Sequence, residues 1–546
     1  MRRWGTRTFR TAISCLTAAL GTVGCAGLQS PIADSAYIRD PIAAPAAPTP
    51  APTPPDLPAA PEPKLKAEPV SATGTLKLDE VLQTVSQNFP LLKAIEEERS
   101  IAVGQRLITE SPFDLNLRGS VTGQEGSFGN TRIDMLAEQA TPYSGLTMFG
   151  GYRFGLGDYA VYNGGQKTGE GGELRAGFQL ALLRDGQIDR RRAALRQAQI
   201  AERLADPIIR RTRLDFLRAS ARTYWAWVAA GQRSIIQQEL LKLANERQAD
   251  LEKLKTDGKR ISDIALEDNR RAIYERKELV LAAERGFQEA ALALSVFLCD
   301  AEGRPVVPGA ERLPPNFLDF IVPDIGTATL ESDVQAALAA RPELERLRLQ
   351  KEQLAVELKL AVNQFLPAVN VGAGVAQDLG FSKSSKIADP SFDSDRTNAS
   401  VFLTSDLPFQ RREAQGRTLA TRARIAQIAL NERQIQNVIR AEVQDSISNL
   451  MLARKRIDEA RKERNAAVTV AADELVLVKN ALSDVFFLNQ RELNAAAAKI
   501  KIANLLADYF RSFADYRAAV AEELAIPKIE LLPPPSEALP KPKPMK

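Results

Sequence analysis

Residues 266–294 read LEDNRRAIYERKELVLAAERGFQEAALAL, and Leu266, Ile273, Val280, Phe287 and Leu294 fall seven apart. A sustained period of 3.5 residues predicts helices that supercoil around one another. The spacing recurs at Leu488, Ala495, Ile502, Tyr509 and Tyr516, and at Val443, Leu450 and Ile457 with Ile447 between. Each return segment is preceded by a long stretch nearly free of helix breakers. From Asp189 to Thr256 the only glycine is Gly231 and the only proline Pro207, and from Arg417 to Lys479 there is neither. Runs of that length reach roughly 100 Å at 1.5 Å per residue. Pro207 is expected to kink the first, because it removes a hydrogen bond and crowds the preceding turn.

Upstream of both long helices the chain alternates. Pro112 is followed by Leu115, Leu117 and Val121, and Pro367 by Val369, Val371, Ala373 and Val375. Period two predicts strands. After a Gly-rich polar region each half returns as a second strand, at Leu174–Leu180 and at Ala399–Leu403. The first half holds a further alternating stretch from Tyr143 to Tyr162, with Phe149, Tyr152, Phe154 and Tyr159. Its aromatics fit an interfacial girdle on a membrane barrel or a hairpin packing its rings inward. Earlier still, amphipathic helices break at Asn88-Phe89-Pro90 and at Ala340-Arg341-Pro342, since proline ends one helix or begins the next. The order helix, helix, strand, strand, long helix, return helix thus occurs twice.

Composition narrows the chemistry. The 546 residues contain no histidine, which removes the commonest general base and metal ligand. Of the three cysteines, Cys15 and Cys25 sit near the N-terminus, leaving Cys299 in the body. That excludes a disulfide framework and a thiolate zinc site. Without Arg2, Arg3, Arg7 and Arg10 the chain has 68 basic and 68 acidic residues, so no basic nucleic-acid surface is expected. Gly164-Gly165-Gln166-Lys167-Thr168 and Gly155-Leu156-Gly157 lack the remaining glycines and the strand–helix context of nucleotide-binding loops, and read as strand connections. Trp225 falls on a stripe with Leu214, Leu217, Ala221 and Val228, the pattern of helix packing. No catalytic residue, cofactor or metal site is expected.

Residues 1–24 read as a signal peptide: a basic start, then an apolar run too short to span a bilayer. Val23-Gly24-Cys25 fits the end of a lipobox, with Thr22 where leucine is usual, so Cys25 is either a lipidation site or incidental. The Pro/Ala-rich 25–75 reads as a tether and the Pro-rich 527–546 as a disordered tail. Two repeats, 76–305 and 306–526, lie between.

Three features resemble the TolC-like outer-membrane efflux proteins. Strands lead into long helices through Leu182-Leu183-Arg184-Asp185-Gly186 and Leu407-Pro408-Phe409-Gln410-Arg411. The family usually has Leu-Pro-hydrophobic-x-Gly-Gly there; the first half keeps one glycine and the second neither. The paired amphipathic helices break at Asn-x-Pro-like chemistry. The long helices turn back at Gly258-Lys259-Arg260-Ile261-Ser262-Asp263-Ile264 and Asn480-Ala481-Leu482-Ser483-Asp484-Val485, where the family reads Gly, Ser, then Asp-Val or Asp-Leu.

The resemblance implies a mainly α protein with β-structure, internally duplicated, with long coiled-coil hairpins. It further implies four membrane strands per protomer, shared in a homotrimeric β-barrel that continues as a periplasmic α-helical tube. Its function would be passive export as the outer-membrane channel subunit of a tripartite efflux or type I secretion complex. The partners would be outer-membrane lipid, a periplasmic adaptor (membrane fusion) protein and an inner-membrane pump. Gly258, Lys259, Arg260, Ser262, Asp263, Ser483 and Asp484 would form the periplasmic tip, gate and adaptor contact. Ser and Asp there suit helix caps, and an aspartate ring at a pore mouth would favour cations. The alternative is a periplasmic coiled-coil scaffold or adaptor without a pore.

Overall fold

A computed structural model describes residues 74–159, 168, 171–257, 262–323, 330–379, 397–480 and 482–522. The leader with Cys25, most of the tether, the tail, and Gly258, Lys259 and Arg260 at the first tip lie outside the described residues.

The described residues open with α1 (Leu78–Asn88), α2 (Pro90–Glu96) and α3 (Glu98–Glu110), and a second such group further on comprises α6 (Leu330–Ala340) and α7 (Pro342–Asn363). Pro90 and Pro342 each open a helix at its first turn, where a missing N–H costs nothing. Both breaks therefore fall where the sequence places them.

The long helices α4 (Arg190–Thr256) and α8 (Arg412–Lys479) have 67 and 68 residues, and α5 (Asp263–Ser295) and α9 (Val485–Val520) return along them. α4 runs on through the buried Pro207 without ending. The heptad positions are the seams: Leu266, Ile273, Val280 and Leu294 are buried, as are Leu488, Ile502 and Tyr509, and Val443, Leu450 and Ile457. Midway along α4 the core thickens. Tyr224, Trp225, Trp227 and Val228 are enclosed by α1, α9 and the connection that carries Phe317 and Phe320. Trp225 stacks on Phe510 with ring centroids 4.2 Å apart, so its role is packing, and Tyr224 Oη donates to the Leu76 carbonyl at 2.9 Å.

Among the described residues the strands form one antiparallel sheet in chain order. They are β1 (Asn116–Gln124), β2 (Asn130–Ala140), β3 (Leu146–Gly157), β4 (Glu173–Ala181), β5 (Ala368–Asp378) and β6 (Thr397–Asp406). Among the described residues six strands stand in place of the four expected. The first half inserts a complete hairpin, β2–β3, between its outer strands. β2 escapes the sequence pattern because Leu136 falls out of phase with Ile133, Met135 and Ala137. Gly155-Leu156-Gly157, expected in a connection, is the end of β3.

Glycines let this sheet close up. A Cβ on Gly151 would lie 2.3 Å from the Met135 carbonyl oxygen, and one on Gly372 would strike the Phe402 ring. Phe402 and Phe149 lie over Gly372 and Gly177 on the neighbouring strands, the aromatic cover that stabilises glycine in sheets.

Candidate membrane sheet and helical tip

Register and the two-residue period assign every strand side chain to one of two faces. On one face Leu117, Ala137 and Gly150 sit side by side, as do Met135, Tyr152 and Leu174. Ala176 with Val375, and Ala373 with Val401, carry that face to the last strand. It is apolar across all six strands and it is open: Leu117 is 74% exposed and Val401 79%. A shallow groove on it is lined by Leu117, Met135, Tyr152, Leu174, Ala176 and Val375. A contiguous exposed apolar surface of this extent marks a membrane or protein contact.

The opposite face is polar and internally paired. Arg153 and Glu173 are 2.5 Å apart on β3 and β4. Arg175 of β4 reaches Asp134 of β2 at 3.0 Å, passing over the bare Gly151 between them. Arg132 also pairs with Asp134, and Arg118 lies 3.8 Å from Glu138. The extra aromatics divide between the faces: Tyr152 and Phe154 join the apolar one and Phe149 the polar one. Tyr143 projects from the turn, 94% exposed. They follow neither the girdle pattern nor the inward-packed pattern as a group.

The strands join the long helices at one end. Asp189 caps α4, accepting from the Arg192 N–H at 2.8 Å. The buried Arg192 guanidinium returns to Asp189 at 3.0 Å and donates to the Asp185, Gly186 and Gln187 carbonyls. At the second junction Arg411 stands at the cap of α8 with φ +50°, and Asp185 at the first has φ +68°. Both occupy left-handed backbone that glycine adopts without strain, at the turns where the resemblance leads one to expect glycine.

The far end holds the described tip residues. Ser262 caps α5, its Oγ accepting from the Ile264 N–H at 3.2 Å. Asp263 is the first residue of that helix and pairs with Lys255 at 2.5 Å. The hydrogen bond and charge of Lys255 hold its carboxyl below the usual range. In the second hairpin the cap shifts by one residue: Asp484 accepts from the Phe486 N–H at 3.2 Å, and Ser483 turns instead to Glu474. Leu251, Leu266 and Val485, with Val478, pack into one cluster beside the two turns, so Ser262, Asp263, Ser483 and Asp484 are brought to the same end. Ile264, Leu482, Phe486 and Phe487 are exposed there.

About two turns further in along α9 lies a polar network that the sequence pattern does not reveal. Arg276 of α5 is fully buried and donates to Glu492 of α9 at 3.1 Å, to Asn489 Oδ1 at 3.2 Å and to the Leu240 carbonyl at 3.0 Å. Arg247 of α4 donates to Asn489 Oδ1 at 2.6 Å and pairs with Glu492. Burial works against the Arg276 charge and Glu492 supports it. The signal that could have found it is polar residues at seam positions: Arg276 is three after Ile273, and Glu492 four after Leu488.

Solved structures share this architecture. The outer membrane protein VceC of Vibrio cholerae matches with a TM-score of 0.57 at 17% identity, covering 82% of this chain and 96% of its own. The open-state MtrE outer membrane channel of Neisseria gonorrhoeae gives 0.57 at 14% identity over 82% and 89%. The CmeC outer membrane channel of Campylobacter jejuni gives 0.56 at 14% over 81% and 85%. No protein-family model and no curated protein matches the sequence. The chain shares the TolC-like fold of these outer-membrane channels, a likeness of fold and not of sequence.

Proposed function

We propose that the chain is the outer-membrane channel subunit of a periplasm-spanning tripartite efflux or type I secretion complex, giving passive export. The observation that carries this is the sheet: one face apolar and open across six strands, the other polar and ion-paired, with every long helix at one end. Bilayers admit only helices and closed barrels, and among the described residues no helix is long and apolar enough to cross one. The sheet has two free edges, so closure requires further copies, and a homotrimer is the reading. The apolar face then meets lipid and the polar face an aqueous lumen. The two repeats, 76–305 and 306–526, send the helices into the periplasm as a tube.

At its end Ser262, Asp263, Ser483 and Asp484, with Gly258, Lys259 and Arg260, form the gate and the contact for a periplasmic adaptor. The exposed Ile264, Leu482, Phe486 and Phe487 support that contact by offering apolar anchors beside the caps. The inner-membrane pump supplies the energy. Residues 1–24 act as the export signal, and Cys25 as the site of a lipid anchor.

Membrane extraction and reconstitution test the reading. The full-length protein should leave bacterial membranes only with detergent, run as a trimer and conduct ions in planar bilayers. A monomer released by osmotic shock without detergent would overturn it.

A further inference from the structure

We infer that the β2–β3 hairpin widens the channel, so that three copies of this chain close an eighteen-stranded barrel, and that the hairpin's charged side lines the enlarged lumen. This rests on the channel reading above.

The hairpin is an integral part of the wall. β1 and β2 pair through nine residues, β2 and β3 through eleven, and β3 and β4 through eight, with no interruption of register. The apolar face continues through it by Ile133, Met135, Tyr152 and Phe154. On the other face Arg118–Glu138, Arg175–Asp134 and Arg153–Glu173 tie the hairpin to β1 and β4. A flap lying outside a four-stranded wall would break both patterns.

Strand number fixes width. An even count also leaves β1 and β6 antiparallel, so that β6 of one copy can pair with β1 of the next. With strands about 4.8 Å apart and tilted about 40°, twelve would enclose a backbone diameter of about 24 Å and eighteen about 36 Å. After side chains are allowed for, that separates a lumen for small solutes from one admitting folded peptides or long polymers. Barrels of 16 to 18 strands belong to the range that leaves an open aqueous channel.

The test compares the full chain with a variant lacking residues 125–157, in which 158–172 joins β1 to β4 without changing strand phase. Each carries Ser400→Cys on the polar face or Val401→Cys on the apolar face. Purified trimers in proteoliposomes are labelled with a small charged maleimide and with a long polyethylene-glycol maleimide. Cys299 is buried and serves as the background. In the full chain both reagents should reach position 400 and neither position 401. Without the hairpin, the long reagent should slow by about tenfold or more at 400 while the small one is unchanged. An unchanged long-reagent rate would overturn the widening, and labelling at 401 in place of 400 would overturn the lumenal assignment. If the shortened chain does not assemble, strand density in the intact trimer decides: eighteen strands support the inference and twelve refute it. A trimer with twelve strands would leave the channel reading standing, whereas a soluble monomer would remove that reading first.

Discussion

Arg276 of α5 and Glu492 of α9 meet at 3.1 Å, and they do so between the two helical hairpins, with Arg247 of α4 closing the triangle on Glu492. One carboxylate thus holds one buried and one partly buried guanidinium from the first hairpin against the second. Glu492→Gln should cost about 3–5 kcal/mol, because both arginines lose their counter-charge inside the seam. Denaturant titration of the solubilised protein reads it. Replacing all three by apolar residues (Arg247→Met, Arg276→Met and Glu492→Leu) should recover most of the loss. A single substitution as mild as the triple would show that the network is hydrated and dispensable.

Adjacent glycines in β3 should behave differently. A Cβ on Gly150 meets nothing nearer than 3.9 Å, while one on Gly151 falls 2.3 Å from the Met135 oxygen. Gly150→Ala should therefore leave the thermal midpoint of the solubilised protein unchanged. Gly151→Ala should disturb the β2–β3 register and block Arg175 from Asp134, lowering that midpoint.

Arg411 holds a left-handed backbone at the start of α8. Non-glycine residues are disfavoured there by roughly 1–2 kcal/mol, so Arg411→Gly should raise stability by up to about 1 kcal/mol after the greater freedom of the unfolded chain is deducted. A thermal midpoint that does not rise would show that the Arg411 side chain contributes enough to offset the backbone strain.

At the tip, Lys255 depresses the Asp263 carboxyl. A lowered folded-state value means this pair favours the folded form above the ordinary carboxylate value, 3.8, and that the contribution is lost as pH falls through the depressed one. Lys255→Met should return Asp263 to the ordinary range, as followed by carboxylate NMR on the labelled protein. Because the pair is exposed to solvent, added salt should weaken the shift. A shift that persists in Lys255→Met would assign it to the helix terminus.

Trp225 and Phe510 lie with their rings 4.2 Å apart and nearly parallel. A double-mutant cycle with Trp225→Leu and Phe510→Leu should give a coupling of about 0.5–1.5 kcal/mol. Additive losses would mean that the two rings are held independently by the surrounding core.

The long helices and their seams were the most legible part of the sequence, because apolar residues seven apart from Leu266 to Leu294 fit a supercoiled helix and neither a strand nor a loop. The outer strands were legible where valines alternate, as in β5. β2 was not: Leu136 faces the polar side, and Ala137 is too small to mark the apolar one. The caps at Ser262 and Asp484 follow from residue type, whereas the one-residue offset between them depends on Glu474 drawing Ser483 away. The Arg247–Arg276–Glu492 network could not be read as a unit, since its members come from three helices far apart in the chain.

The sheet's pairing order has a consequence for how the protein is made. The first four strands pair with near neighbours in sequence, but β4 ends at Ala181 and its partner β5 starts at Ala368. At about 5–20 residues per second, synthesis leaves an interval of roughly 10–40 s in which the β4 edge exists without its mate. An unpaired edge beside an apolar face is a site for aggregation. Until the second half emerges, the first four strands therefore carry an edge that only β5 of the same chain closes.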